Sequence, residues 1–286
     1  VKAKSGSFTY DGTEHTVSGF ESLTFTVNGE KYTVEGLSAS ASATDATETA
    51  IPVTVTGTAI VRDAEKNDVT AQFTVATENG TLTVAKRTVT LTSETASKPY
   101  DGTPLEKPDV TVTGSFVTGE VTGIKATGSV THVAQNEVTN TITYTEGANF
   151  KASNYTITKN EGKLSITPIA IELTAASDSK TYDGTALTNN SHEITHGKFV
   201  GEEGLATVTV AGSQTLVGSS ANAITGYTLK DNTAESDYTI TTRPGTLTVN
   251  ARGEGEKYAI TVKAKSGSFT YDGTEHTVSG FESLTF

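Results

Sequence analysis

One phrase, Tyr-Asp-Gly-Thr, occurs four times in this chain, at residues 10–13, 100–103, 182–185 and 271–274, and it limits the possible folds more than any other feature. The tyrosines stand about 90, 82 and 89 residues apart. That period suits small domains that each bury a modest core. About nine residues before each tyrosine of the later copies lies an apolar alternation, Val89/Leu91, Ile171/Leu173 and Ile260/Val262. Each full unit closes with Gly-x-Leu-x-Val/Ile, at Gly80-Leu82-Val84, Gly162-Leu164-Ile166 and Gly245-Leu247-Val249. Alternation with period two is the mark of strands with one buried face.

The expected organisation is three β-rich repeat modules, 1–85, 86–167 and 168–252, followed by a hinge and the start of the next repeat at 253–286. Residues 1–25 return without a change as 262–286. Folding does not demand identity at solvent-facing positions, so the verbatim copy points to recent duplication within a longer tandem array. The chain thus reads as an internal segment of something longer. From Val84 to Val89 and from Ile166 to Ile171 the junctions take about five residues, whereas Val249 to Ile260 takes about eleven, with glycines and like charges in 250–257. Short junctions should be stiff and the long one mobile, giving trios on the order of 100 Å at ~3.3 Å per strand residue.

Composition removes several classes of function. The chain has no Cys, Met or Trp, which excludes disulfides and thiolate metal sites. With 21 basic against 33 acidic residues the net charge is −12, unsuited to a nucleic-acid backbone or an anionic membrane. No apolar run reaches the roughly 18 residues a membrane span needs, so no membrane insertion is expected within this segment. A Thr-rich chain free of cysteine suits an exported bacterial protein.

Local readings follow from turn chemistry. Asn28-Gly29 between alternating apolar residues predicts a hairpin over 25–34, because both residues accept the positive φ of a type I′ turn. Residues 38–49 read as a loop or edge strand. Residues 51–56 read as one strand, with Pro52 at its start or on an edge. An aromatic about seven residues before each closing glycine (Phe73, Tyr155, Tyr238) predicts a closing hairpin in every unit, with Gly80, Gly162 and Gly245 at its turn. Gly12, Gly102 and Gly184 are read as turn glycines of the repeated phrase.

The Lys-x-Tyr-Asp-Gly-Thr-x-Leu phrase (98–105 and 180–187), the Asn/Asp-Tyr-Thr-Ile phrase and the closing Gly-x-Leu-x-Val resemble the YDG/MBG-type modules of large bacterial surface proteins. The resemblance covers all three units. It implies an all-β fold in tandem copies, extracellular and anchored to the cell wall through regions outside this segment. The architecture is expected to be β-sandwich-like and Ig-like, with a β-grasp-like sheet and one short helix as the alternative. The first unit departs from the pattern, with Phe8 where Lys98 and Lys180 stand and Phe73 in place of Tyr155 and Tyr238.

For Tyr-Asp-Gly-Thr two readings stand side by side. In one it is a turn, with Asp accepting local hydrogen bonds and Gly supplying positive φ. In the other, Tyr100 and Tyr182 offer ring faces to a sugar while Asp101 and Asp183 accept its hydroxyls. His192-Glu193-Ile194-Thr195-His196 spells a zinc-protease motif, but that motif works on a helix. Aligned with 109–113, the segment reads as a strand, on which residues four apart lie ~13 Å from each other, too far to share a metal. A Lys98–Asn154 isopeptide cross-link is a further candidate. No catalytic residue, metal or cofactor is assigned, and the chain is read as not an enzyme. The function expected is a stalk or spacer in a surface protein or filament. The alternative is a multivalent adhesin binding glycans or host surface proteins. Partners are then the neighbouring repeats of the same chain, and other copies through exposed sheet edges.

Overall fold

A computed structural model describes residues 1–286. It contains twenty-six strands, five short 3-10 turns and no α-helix, so the protein is all-β. Two compact units are present, Val1–Thr167 and Pro168–Phe286.

One construction recurs in both units. The opening segment of a repeat splits into two strands that belong to different sheets. In the second repeat Arg87–Ser93 lies between Val110–Gly114, antiparallel, and Tyr155–Asn160, parallel. After a two-residue break, Ala96–Pro99 runs parallel to Lys163–Thr167, which also pairs with Val138–Thr139. In the second unit Ile169–Ala175 sits between His192–His196 and Tyr238–Arg243. Asp178–Thr181 then joins Gly245–Asn250, Gly218–Leu229 and Leu205–Ala211 in a four-stranded sheet. The apolar alternation is the cause: Val89, Leu91, Ile171, Leu173, Leu164 and Leu247 are fully buried between the sheets.

The switch between sheets explains the closing glycines and corrects their assignment as turn residues. Gly80, Gly162 and Gly245 do not take positive φ. They are points of close approach, where a Cβ would lie 2.0 Å from Lys4 O, 2.1 Å from Glu94 O and 2.3 Å from Ala176 O. The closing strand crosses the opening strand at its break, and only glycine lets the two backbones touch. A buried asparagine holds the crossings of the second and third repeats. Asn140 Nδ2 donates to Lys107 O at 2.8 Å and Glu94 O at 3.3 Å. Asn222 Nδ2 donates to Ala176 O at 2.9 Å and Asn189 O at 2.8 Å.

The closing hairpins expected from the sequence do not form. Tyr155–Asn160 and Lys163–Thr167 are adjacent strands, but each pairs with a different half of the opening segment. Parallel pairing across some seventy residues has replaced the local antiparallel turn. In the first repeat, residues 73–77 form no strand.

Elsewhere in the first repeat, Thr24–Val27 and Glu30–Ala43 make a two-residue hairpin, with Asn28 at φ +50° and Gly29 at +88°. Of the region 38–49 read as a loop or edge strand, residues 44–49 form no strand, and Glu30–Ala43 runs through the first six. It is a central strand there, paired with His15–Ser18 on one side and Val55–Arg62 on the other. The single strand read over 51–56 is two, Ile51–Val53 and Val55–Arg62, in different sheets. Ile51–Val53, which carries Pro52, lies at the edge of its sheet.

Candidate functional site

The Tyr-Asp-Gly-Thr phrase is a closed local turn. Asp101 Oδ1 accepts the Thr103 backbone N–H at 2.9 Å and the Thr103 hydroxyl at 2.7 Å, while Gly102 takes φ +77°. The same bonds recur at Asp11, Asp183 and Asp272, with Gly12, Gly184 and Gly273 at φ +81°, +82° and +76°. Lys98 Nζ donates to both oxygens of Asp101, at 2.8 and 3.0 Å, and to Thr103 Oγ1 at 2.7 Å. The lysine ammonium, with the Thr103 hydroxyl and N–H, draws the Asp101 carboxyl down to about 2. Lys180 does the same for Asp183, whose carboxyl lies far below the usual range. In the first repeat a histidine takes over from the missing lysine. Phe8 stacks on His15 with ring centres 4.4 Å apart, which brings His15 Nε2 to 3.1 Å from Asp11 Oδ1.

These contacts occupy the groups that a sugar would need. Asp101 and Asp183 are each held by a lysine and a threonine. Tyr100 is buried against His132, with ring centres 5.6 Å apart. Tyr182 is half-buried beside Leu187, Leu247 and Val249. Lys98 and Asn154 are not brought together as a cross-link requires, because Lys98 is anchored in its turn and the Asn154 amide bonds to Asp45 and Ala46. His192–His196 is a strand with every residue exposed, paired with Ile169–Ala175 rather than folded as one turn of helix.

The most elaborate polar cluster escaped the sequence reading. Within Val1–Thr167, the first Tyr-Asp-Gly-Thr turn docks on the second repeat. Tyr10 Oη donates to Glu120 Oε1 at 2.5 Å and Tyr155 Oη donates to Glu120 Oε2 at 2.7 Å, all three side chains being buried. Val117 N–H donates to Tyr155 Oη at 2.9 Å. The two tyrosine rings meet edge to face at 5.5 Å, and Phe150 stacks on Tyr155 at 5.6 Å. Burial first, and then the Glu120 carboxylate, push the Tyr10 phenol up and that of Tyr155 up to about 12.

Charged groups surround this clasp. Lys151 Nζ meets Asp45 Oδ2 at 2.6 Å, and Asn154 Nδ2 donates to Asp45 Oδ1 at 2.9 Å. Arg87 donates to Ser115 O at 2.7 Å and to Tyr10 O at 3.3 Å. A cavity of about 370 Å³ lies beside the cluster, lined by Tyr10, Asp45, Glu120 and Lys151 among others. Every acid named here already has a donor, so the arrangement is chemically a lock between two repeats.

Half of the same cluster recurs in the second unit. Tyr238 Oη donates to Glu203 Oε2 at 2.6 Å and accepts from Val200 N–H at 3.0 Å, with its phenol pushed up to about 12 by burial and then by Glu203. A sequence signal existed. Phe116 and Phe199 each stand four residues before a glutamate that precedes its tyrosine by 35. The first repeat has Phe73 at that place and no hydroxyl to offer. No protein-family model matches the chain, and no curated protein matches its sequence.

Proposed function

We propose that this chain is a spacer segment of a repetitive extracellular bacterial surface protein, built from tandem Ig-like β-sandwich modules of the YDG/MBG type. The observation that carries the reading is the Tyr10–Glu120–Tyr155 clasp. The first copy of the repeated phrase fastens one repeat to the next, through a hydrogen bond that is charge-assisted and shielded from water. The verbatim copy of 1–25 supports it from the sequence side, since a spacer gains length by duplication without needing any new chemistry. The adhesive alternative would want exposed rings at equivalent places in successive repeats, and the burial of Tyr10 and Tyr100 speaks for the spacer.

The test is binding of the chain, alone and multimerised to recover weak contacts, to a panel of glycans, mucins and matrix proteins. A spacer stays silent in both forms. Binding that disappears on Tyr182→Ser, with the fold retained, would overturn the assignment and make the modules adhesive.

A further inference from the structure

Thiols and thioethers, the usual targets of oxidants, are absent from this chain, and so is indole. That leaves its ten tyrosines as the most easily oxidised side chains. A phenol gives up an electron readily only where its proton can leave at the same moment, so a tyrosine bonded to a base reacts before one that is not. Tyr10 and Tyr155 are both bonded to one base. Their hydroxyls donate to Glu120 Oε1 at 2.5 Å and Glu120 Oε2 at 2.7 Å. Sharing a carboxylate draws the hydroxyl ends of the two rings together, and with them the ring carbons ortho to each hydroxyl. The rings meet edge to face, with centres 5.5 Å apart and planes at 80°. Tyr10 belongs to the first repeat and Tyr155 to the second, so a bond between them would join repeats.

Both rings are buried, and the surroundings supply a way in for the oxidising equivalent and a way out for the proton. Tyr144 is half-buried, and the Phe116 ring bridges it to Tyr155, with centres 6.0 and 5.2 Å away. Lys159 Nζ lies 4.9 Å from the centre of the Tyr144 ring. That cation opposes the loss of an electron from Tyr144, whereas the Glu120 carboxylate favours it at Tyr155 and Tyr10. An electron vacancy made at Tyr144 therefore moves inward to the clasp. The cavity of about 370 Å³ is lined by Tyr10, Asp45, Glu120 and Lys151 among others. It gives the proton taken by Glu120 a polar route away and gives the Tyr10 ring room to turn.

We propose that the clasp is an oxidative cross-linking site, at which one-electron oxidants, such as a peroxidase makes from hydrogen peroxide, join Tyr10 to Tyr155 as a dityrosine. Each phenol loses one electron to the oxidant and one proton. The first proton goes to Glu120 and leaves through the cavity before the second follows. The two phenoxyl radicals pair their electrons in one carbon–carbon bond between ortho positions. The hydrogen on each of those carbons then moves to its phenol oxygen, restoring both hydroxyls. The net change is the loss of two hydrogens, which reduce one hydrogen peroxide to two waters. The reaction turns a hydrogen-bonded lock into a covalent one. It stands on the geometry of the clasp alone, so glycan binding by the chain would leave it untouched.

The test oxidises the whole chain, dilute enough that molecules do not couple to one another, with photolysed ruthenium tris-bipyridine and persulfate, a small one-electron oxidant. The monomer is recovered from a denaturing gel, its blue dityrosine fluorescence is read, and its peptides are mapped by mass. The peptides carrying Tyr10 and Tyr155 should appear joined and lighter by two hydrogens, in at least fivefold excess over any other linked pair. Glu120→Gln keeps a side chain of the same shape but takes up no proton, and should slow the coupling at least tenfold, with circular dichroism confirming the fold. Tyr10→Phe should abolish this pair. Oxidised Tyr144 without a Tyr10–Tyr155 link would overturn the proposal, because the oxidant had then arrived and the clasp had not reacted. So would dityrosine placed mainly elsewhere in the monomer, or coupling as fast in folded Glu120→Gln as in the parent chain. The peptide map of the parent chain decides the matter even where a variant fails to fold.

Discussion

Replacing Tyr10 by Phe removes one hydroxyl and nothing else. The ring keeps its edge-to-face contact with Tyr155 at 5.5 Å and no cavity opens. What is lost is the 2.5 Å donor to Glu120, a carboxylate that is only 4% exposed and so has little water to turn to. Hydrogen bonds to buried charges contribute about 1.5–3 kcal/mol, so we expect a loss of about 2 kcal/mol. In a unit of this size that corresponds to a fall of roughly 4–8 °C in its melting temperature. Tyr155→Phe should cost more, because it also orphans the Val117 N–H, adding about 1–3 kcal/mol. Urea unfolding of the whole chain, followed by far-UV circular dichroism and by hydrogen exchange within Val1–Thr167, measures both, and the double variant gives the coupling between them. A loss below about 0.5 kcal/mol for Tyr10→Phe, within the range of an ordinary surface change, would refute the claim that the clasp joins the repeats. So would a Tyr155→Phe effect smaller than that of Tyr10→Phe.

Further predictions concern pH and glycine. The raised phenols of Tyr155 and Tyr238 contribute stability that is fully present below their ordinary value of 10.0 and is lost as pH rises toward about 12. Ultraviolet titration should show both ionising late, and Glu120→Gln should bring Tyr155 down. Asp101, held at about 2, contributes above its ordinary value of 3.8 and loses that contribution as pH falls through about 2. Carboxyl NMR titration should show its midpoint rise in Lys98→Met. Gly184→Ala meets no neighbour and should cost only the left-handed strain, about 1–2 kcal/mol. Gly245→Ala drives a Cβ to 2.3 Å from Ala176 O and should cost more in the same denaturation assay, about 3 kcal/mol by analogy with overpacking. Equal losses at the two sites would contradict the distinction between turn and crossing glycines.

The strands were legible wherever apolar residues alternate, and the turns wherever the side chains make their own hydrogen bonds. Asn28-Gly29 and the Asp-x-Thr turns need no partner beyond five residues. The closing phrases misled, since Tyr155–Asn160 and Lys163–Thr167 look like a hairpin and are strands of separate sheets. Their partners, Arg87–Ser93 and Ala96–Pro99, lie nearly seventy residues upstream, and no short window contains that pairing. Glu120 was missed for the same reason. A glutamate in a Thr-Gly-Glu loop reads as solvated until two tyrosines, 110 and 35 residues away in sequence, arrive on its two oxygens.

The duplicated segment separates the two kinds of information directly, because 1–25 and 262–286 are the same sequence in different surroundings. In both copies Thr N–H and Oγ1 bond to the aspartate, the glycine takes positive φ, phenylalanine stacks on histidine and Ala pairs with Phe. These features are determined by the sequence itself, through contacts that close within about twenty residues. Strand and burial are not. Gly6–Thr9 and His15–Ser18 are strands against Gly80–Ala85 and Glu30–Ala43, while residues 267–270 and 276–279 form no strand. Tyr10 is 3% exposed and Tyr271 93%. A strand's backbone bonds and a side chain's burial are supplied by another part of the chain, so the tertiary structure alone decided which tyrosine became a clasp.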